Sequence, residues 1–439
     1  MYKTLNAPLA AHVEVNTFCN QRCRHCYNFW RASDPGLDIK LSPELTVRIA
    51  DQLAQHGVFH VILNGGEPLM NVDGLLSLMG ELRARGITFS LNSTLALIKP
   101  ETARQLKEAG LNTVLASLLS YNPDTHNYLT SHPGSFQKVT RGVGIAIEAG
   151  LRVALNMVVS RRNLGHIEKT GLLAKELGAS FFSATRVIPP RLAYLEPDSE
   201  LILRPDEIRA IVESLVRLQE TGLVLDSLIP YPGCFFDTSE EVDLLGMRSC
   251  SAGKTSVAIG ADGLVRACPH HEKTYGSIMD KDLASIWQRM HEWRDGSILP
   301  EACLSCRFIA QCGGGCRVAP TDGSLCGEDP IMKKSEVRKL PTLVRHHDAV
   351  LIEGSTLMKI RKGCRFRQDD EVGIINTGGI KNAIVERETL ELLKSLHAEG
   401  VEFTPGGLRD QHGIQMSDEE YYSFMSELVT REVAQISTG

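Results

Sequence analysis

The chain has 439 residues, 43% of them hydrophobic, which is enough for two or three domains with real cores. A formal charge of −6 argues against nucleic acid as the main partner, and no run of about 18 apolar residues is present to span a membrane. The N-terminal stretch lacks the basic-then-apolar build-up of a secretory signal, and twelve cysteines point to metal ligation in a cytoplasmic protein rather than to disulfides.

The first 225 residues alternate in period. Short apolar runs at 12–17, 58–63, 87–92, 112–117, 152–159 and 179–187 read as buried strands. Between them lie amphipathic stretches such as SPELTVRIADQLAQHG and SFQKVTRGVGIAIEAG, which end on glycine. Strand and helix alternating six times predict stacked βαβ units and a parallel sheet, too few for a closed eight-fold barrel. The expectation is a partial (β/α)6 barrel, α/β in class, with its chemistry at the C-terminal ends of the strands.

Cys19, Cys23 and Cys26 follow directly on the first strand, spaced C-x3-C-x2-C. Three thiolates can each take one iron of a cuboidal cluster, leaving a fourth iron open. A structural zinc site with His25 as fourth ligand is the competing reading. The second strand runs into Gly65, Gly66, Glu67 and Pro68, where two glycines let backbone polar groups approach a ligand closely.

Together, the cysteine triad and the GGEP turn resemble the radical S-adenosylmethionine (SAM) superfamily. The resemblance implies that SAM chelates the open iron and that the GGEP-like turn holds its amino group. It implies a reduced cluster that passes an electron into SAM, whose 5′-deoxyadenosyl radical removes a substrate hydrogen. Carried over position by position, it sets Tyr27 beside the adenine and makes Asn92, Ser93, Ser117 and Asn156 SAM contacts. Where many relatives carry an acidic residue after the fourth strand, this chain has Leu119, which puts ribose contacts there in doubt.

A second cysteine group reads Cys250-x12-Gly263-x4-Cys268, Cys303-x2-Cys306-x5-Cys312-x3-Cys316 and Cys326. VAIGADGLVRACPH predicts a hairpin turning at Asp-Gly, which brings Cys250 near Cys268. Zinc ribbons also pair C-x2-C units. The order resembles the SPASM extension of radical SAM enzymes, which implies two auxiliary [4Fe–4S] clusters and three in all. By that resemblance Cys250, Cys268 and Cys316 hold an inner cluster, and Cys303, Cys306, Cys312 and Cys326 an outer one. The inner cluster's fourth ligand is left to Cys234, the nearby spare thiol, or to an open iron.

From residue 341 the chain alternates short strands around turns, then gives three amphipathic segments that read as helices, NAIVERETLELLKSLHAEG, TPGGLRDQHG and SDEEYYSFMSELVTREVAQI, the last opened by a Ser417–Glu420 capping box. This predicts a small winged-helix-like α+β domain. With 11 Lys/Arg against 16 Asp/Glu in residues 341–439, DNA binding is disfavoured. The layout resembles the peptide-recognition element of ribosomal-peptide maturases, where a leader peptide adds a strand to the small sheet. Cys364 in this part is expected to be inert.

The expected division is 1–225 barrel, 226–335 SPASM domain and 336–439 recognition module. The implied activity is a peptide maturase that installs a crosslink on a precursor peptide with a leader, fed by a reducing flavodoxin or ferredoxin. A sulfatase-maturase-like oxidation to formylglycine is the runner-up. It is disfavoured because Pro269 stands where those enzymes carry an acidic residue. A non-catalytic iron–sulfur sensor or scaffold is the alternative from another class.

Overall fold

In a computed structural model, residues 5–30, 36–188, 199–246, 248–333, 350–370 and 372–437 are described. The chain divides into two compact units, Met1–Val344 and Arg345–Gly439.

The first unit contains all six expected strands, as β1 (Ala10–Glu14), β2 (His60–Asn64), β3 (Thr88–Asn92), β4 (Thr113–Ser117), β5 (Arg152–Val159) and β6 (Phe181–Arg186). They lie side by side in chain order, all parallel, and a short β7 (Leu225–Asp226) continues beyond β6. Val13, Val61, Leu63, Leu91, Val114, Leu155, Met157 and Phe182 are almost wholly buried, as strands covered on both faces require.

The covering helices include α1 (Pro43–Gln55), α2 (Val72–Ala84), α3 (Pro100–Glu108), α4 (Pro123–Thr130), α5 (Ser135–Glu148), α6 (Ile167–Glu176) and α7 (Pro205–Gln219). Helix α1 starts where its sequence says it should. Ser42 accepts from the Leu45 amide, Pro43 takes the first turn, and Leu45, Ile49 and Leu53 form the buried stripe. On α5, Gly142 lies so close to the loop after β3 that an added Cβ would clash with the Leu95 carbonyl.

The cysteine-rich segment does not stand apart from the barrel. Its strand β8 (Ser256–Ile259) pairs in parallel with β1, and β9 (Leu264–Arg266) and β10 (Thr274–Ser277) extend a ten-stranded sheet. The β8–β9 hairpin turns at Asp262–Gly263 as expected, with Gly263 at φ +80° and the Leu264 amide on Asp262 Oδ1 at 3.0 Å. Helix α8 (Leu283–Gln288) is bound to α1 through Gln52 Oε1, which accepts from the Leu283 amide, and through a His56–Asp282 contact at 2.8 Å. Sequence reading places a boundary near 225; hydrogen bonding across β1–β8 runs through it.

The second unit holds β11 (Met358–Ile360), β12 (Arg365–Asp369), β13 (Val372–Gly378), β14 (Lys381–Glu386), α9 (Arg387–Glu399), β15 (Glu402–Phe403), α10 (Pro405–His412), α11 (Asp418–Thr430) and β16 (Ala434–Ile436). Two antiparallel sheets form, in the orders β12-β13-β14 and β15-β11-β16. Their core is Met358, Ile375, Leu390, Leu393, Tyr421, Met425, Leu428 and Val433, with Cys364 among them. The Ser417–Glu420 capping box is present. One expected element differs. NAIVE, read as the start of a helix, is strand β14, because it completes a ladder with β13 and the helix begins only at Arg387.

Two glycines on α5 give a paired test of this packing. Gly142→Ala should destabilise the protein by about 1–3 kcal/mol through overpacking against backbone. Gly144→Ala, two residues on and facing open space, should stabilise it by roughly 0.5–1 kcal/mol. Anaerobic urea titration followed by circular dichroism reads both; equal effects would contradict the close α5 approach.

Candidate functional site: cysteine loops at the strand ends

The chain leaving β1 is fastened to the chain leaving β2. Asn16 is fully buried, and its Nδ2 donates to the Phe18 carbonyl at 2.8 Å and the Glu67 carbonyl at 3.2 Å. The Gly66 and Glu67 amides return bonds to the Asn16 and Phe18 carbonyls at 2.8 and 2.9 Å. A Cβ on Gly66 would clash with the Phe18 carbonyl, and one on Gly65 with that of Asn16. Residues 16–18 of the same chain thus lie against these glycines.

Glu67 has a role within the fold that its motif does not announce. It is fully buried, and its carboxylate accepts from Ser93 Oγ at 2.6 Å, the Thr94 amide at 2.8 Å, Thr94 Oγ1 at 2.7 Å and the Leu69 amide at 3.1 Å. Its backbone faces β1 and its side chain holds the exit of β3. The Ser93 hydroxyl is committed to this network and also accepts from the Leu95 amide at 3.0 Å, so it is a brace of the turn.

Cys19, Cys23 and Cys26 are half-buried on the loop that follows. The loop is pinned along its length. Gln21 Nε2 donates to Ser135 Oγ at 2.9 Å, the Arg24 amide to the Leu129 carbonyl at 2.9 Å, and Asn28 Nδ2 to the Gly65 carbonyl at 3.0 Å. His25 Nδ1, Asn28 Oδ1, Asn64 Oδ1 and Asn16 Oδ1 are buried with no hydrogen-bond partner among the described residues. Buried polar groups are as a rule paired. Three thiols beside unmet polar atoms therefore fit a cluster and a polar cosubstrate. Burial pulls the His25 imidazole down to about 4.

Three further candidates lie on β3, β4 and β5, where Asn92 is opposite Leu115. Ser117 and Asn156 are register partners across β4–β5, and Asn92 ends β3 half-buried. Asn156 Oδ1 accepts from Ser183 Oγ and Thr185 Oγ1, both at 2.7 Å, which fixes its side chain across the sheet. Leu119 is buried with Leu129 and Leu201 and offers nothing polar. Tyr27 stacks face to face on His270, with ring centroids 4.1 Å apart and planes 1° from parallel. Sequence reasoning missed that partner, since no local signal links two residues on loops so distant in the chain.

The second cysteine group forms two sets. Cys250, Cys268 and Cys316 act on one another: burial first, then the charges of its neighbours, push Cys268 up and raise Cys316 to about 12. Cys303, Cys306 and Cys312 line another cavity together with Cys234, Pro232, Phe308 and Met332. Cys234, expected as a possible fourth ligand of the inner set, lines this cavity too. Cys326 is exposed, its Sγ 3.4 Å from the Ser297 carbonyl. Between Cys312 and Cys316, Gly313, Gly314 and Gly315 have φ +65°, +80° and +73°. Three successive left-handed residues are open only to glycine, and they turn the chain from one set to the other. Among the described residues, no group of three His, Cys, Asp or Glu could hold a single metal ion. A cuboidal cluster takes one thiolate per iron, so its ligands stand further apart.

The radical SAM superfamily profile matches residues 13–174, and that of the SPASM iron–sulfur cluster-binding domain matches residues 250–307. The chain thus carries a radical SAM domain followed by a SPASM domain. It is 25% identical over 348 residues to an AdoMet-dependent heme synthase of Methanosarcina barkeri, covering 75% of this chain and 97% of that one. It is 28% identical over 361 residues to the mycofactocin maturase MftC of Mycolicibacterium smegmatis, covering 77% and 88%. In fold it is similar to Streptococcus suis SuiB bound to its precursor peptide SuiA, with TM-score 0.59, 19% identity and 77% of each chain covered. It is equally similar to anSMEcpe with bound AdoMet, at TM-score 0.59 and 19% identity over 74% of this chain and 94% of that one.

The Glu67 network yields a distinct expectation. Glu67→Ala leaves the Leu69 and Thr94 amides without acceptors, each costing about 1–3 kcal/mol. Both the melting temperature and the iron carried by the first loop should therefore fall together. Intact stability and iron with only SAM binding weakened, read by calorimetry, would return Glu67 to the purely ligand-facing role.

Proposed function

We propose that this radical SAM enzyme acts on a ribosomally made precursor peptide and installs an intramolecular C–C, C–O or thioether crosslink. The observation that carries the reading is the small sheet of the C-terminal unit. Strand β14 pairs with β13 alone among the described strands and leaves its other edge open. Ile384 on that strand and Ile380 at its turn are 51% and 59% exposed. An open strand edge with outward apolar side chains is a template for an added strand, with main-chain bonds for affinity and side-chain contacts for specificity. The likeness to a mycofactocin maturase, and in fold to a maturase bound to its precursor peptide, supports the same reading.

In this scheme a leader segment docks on β14 and the core peptide enters the strand ends of the barrel. Cys19, Cys23 and Cys26 hold the cluster that binds SAM; when bound, cluster and SAM together supply the radical that removes hydrogen. Tyr27, Asn92, Ser117 and Asn156 are the polar and aromatic groups at those strand ends offered to SAM. The two further thiol sets hold two auxiliary [4Fe–4S] clusters, three in all, to take the second electron. A flavodoxin or ferredoxin in the cytoplasm is the expected reductant.

The heme synthase relatives support a second reading, a tetrapyrrole substrate. The heme synthase match covers 75% of this chain and the maturase match 77%, so coverage does not separate the two readings; the open edge of β14 favours the peptide.

Two experiments test the proposal. Replacing Cys19, Cys23 and Cys26 together by Ala should remove roughly a third of the iron and all 5′-deoxyadenosine formation. The intact protein, given SAM, reductant and a short peptide encoded beside its gene, should lower that peptide's mass by two hydrogens. A mass change on an iron-coproporphyrin and none on the peptide overturns the reading. Ile384→Arg should weaken leader binding about tenfold or more by anisotropy, from burial worth about 1.5–3 kcal/mol, and leave uncoupled SAM cleavage unchanged.

A further inference from the structure

The order of cysteines along the chain assigns Cys326 to the outer set. Position in the fold does not. Cys303, Cys306 and Cys312 surround a cavity whose remaining thiol is Cys234, brought there by the short helical turn Gly233–Phe235. The amide of Gly233 donates to Cys312 Sγ at 3.1 Å, so the turn carrying Cys234 is bonded directly to a member of the outer set. Such an amide-to-sulfur bond stabilises the charged thiolate.

Three further contacts keep Cys234 in place. The Arg209 guanidinium donates to the Phe235 carbonyl and also lies 4.1 Å from the centre of the Phe235 ring. Arg209 is in turn held by Glu241 at 2.7 Å. On the other side, a Cβ on Gly315 would sit 3.1 Å from Pro232, so the loop before Cys234 packs on the glycine turn between Cys312 and Cys316. The position of Cys234 is thus tied to the turn that separates the two sets.

Cys326 is not among the residues that line that cavity. Of the twelve cysteines it alone is exposed, and its sulfur is directed at the Ser297 carbonyl at 3.4 Å. Its loop is anchored through its neighbours, since Arg317 Nη1 donates to the Leu325 and Gly327 carbonyls at 3.3 and 3.2 Å. The anchoring fixes the loop without turning its thiol into the cavity.

We propose that the outer auxiliary cluster is held by Cys234, Cys303, Cys306 and Cys312, that Cys326 is not among its ligands, and that the inner set comprises three thiolates, Cys250, Cys268 and Cys316. Each outer iron then has one protein thiolate, as a closed electron-transfer cluster requires. The inner cluster keeps one iron without a cysteine. The swap also explains why a spare thiol occurs sixteen residues before Cys250, in a segment with no other cysteine.

Iron and sulfide counts, Mössbauer spectra and reduced-state EPR of the anaerobically reconstituted full chain decide the matter without reference to turnover. Cys234→Ala should alter the same spectral component that Cys303→Ala alters. The double variant C234A/C303A should lose no more iron than C303A, roughly four atoms, whereas C234A/C268A should lose roughly eight. C326A should keep the full count. The proposal falls if the losses of C234A nest within those of C268A, if C234A changes no component, or if C326A removes the C303A component. Should C234A not fold, C234S serves. A serine oxygen in the same position should shift the outer component alone, and a shift in the inner component overturns the assignment as surely.

Discussion

One buried carboxylate gathers three strand ends, and the first cysteine loop depends on it. Glu67 receives the Ser93 hydroxyl, the Thr94 amide and hydroxyl and the Leu69 amide on its side chain, while its backbone is bonded to Asn16 and Phe18. A buried charge without donors would cost several kcal/mol, so the carboxylate is tolerable only in this arrangement. The arrangement in turn fixes where β1 ends, and Cys19 follows Phe18 at once. Rigidity at the reacting centre is what positions a substrate within reach of a short-lived radical. The GGEP turn therefore fixes the start of the first cysteine loop through the scaffold.

A comparable constraint joins the cysteine-rich segment to the barrel. Arg186, at the end of β6, makes a two-pronged pair with Asp329 at 2.8 and 2.5 Å, and Arg266 on β9 pairs with Glu14 at the end of β1. All four side chains are nearly inaccessible to solvent. Burial pushes the Glu14 carboxyl up from the usual range while Arg266 pulls it down. Buried pairs of this kind add little net stability, because desolvation offsets most of the attraction, but breaking one leaves a stranded charge. Their value is registry. They allow one docking of the two cysteine sets on the strand ends, which the β1–β8 ladder already sets to the residue.

Much of this was legible in the sequence, and the limits have physical reasons. All six barrel strands, the capping box at Ser417 and the Asp262–Gly263 hairpin were readable because each depends on residues close in the chain. NAIVE was misread because its apolar spacing suits either period until β13 supplies a ladder. The cysteine spacings announced the clusters, since ligand number and spacing are local properties. Which thiols share a cavity was not announced: Cys234 joins Cys303 through folding of a long intervening stretch. The same holds for Tyr27 and His270, and for Glu67 with Thr94, where local motifs gave the residue but not its partner.

Charge completes the account of the SPASM region. Arg317 is almost wholly buried and donates to the carbonyls of Gly314, Leu325, Gly327 and Ile298, none of which carries a full charge. Lys254 is buried nearby, pulled down first by burial and then by Arg317, and held up by the thiols of Cys250 and Cys312. Two close, buried cations would repel and destabilise the fold unless anions lay within a few ångströms. Cys250 and Cys312 are close enough to act on Lys254, and iron–sulfur ligation, the task of a SPASM domain, would make such thiols anionic. On this argument the thiolate sets and the two cations are mutually stabilising. Ligating the clusters and folding this part of the chain are then one electrostatic problem, solved together.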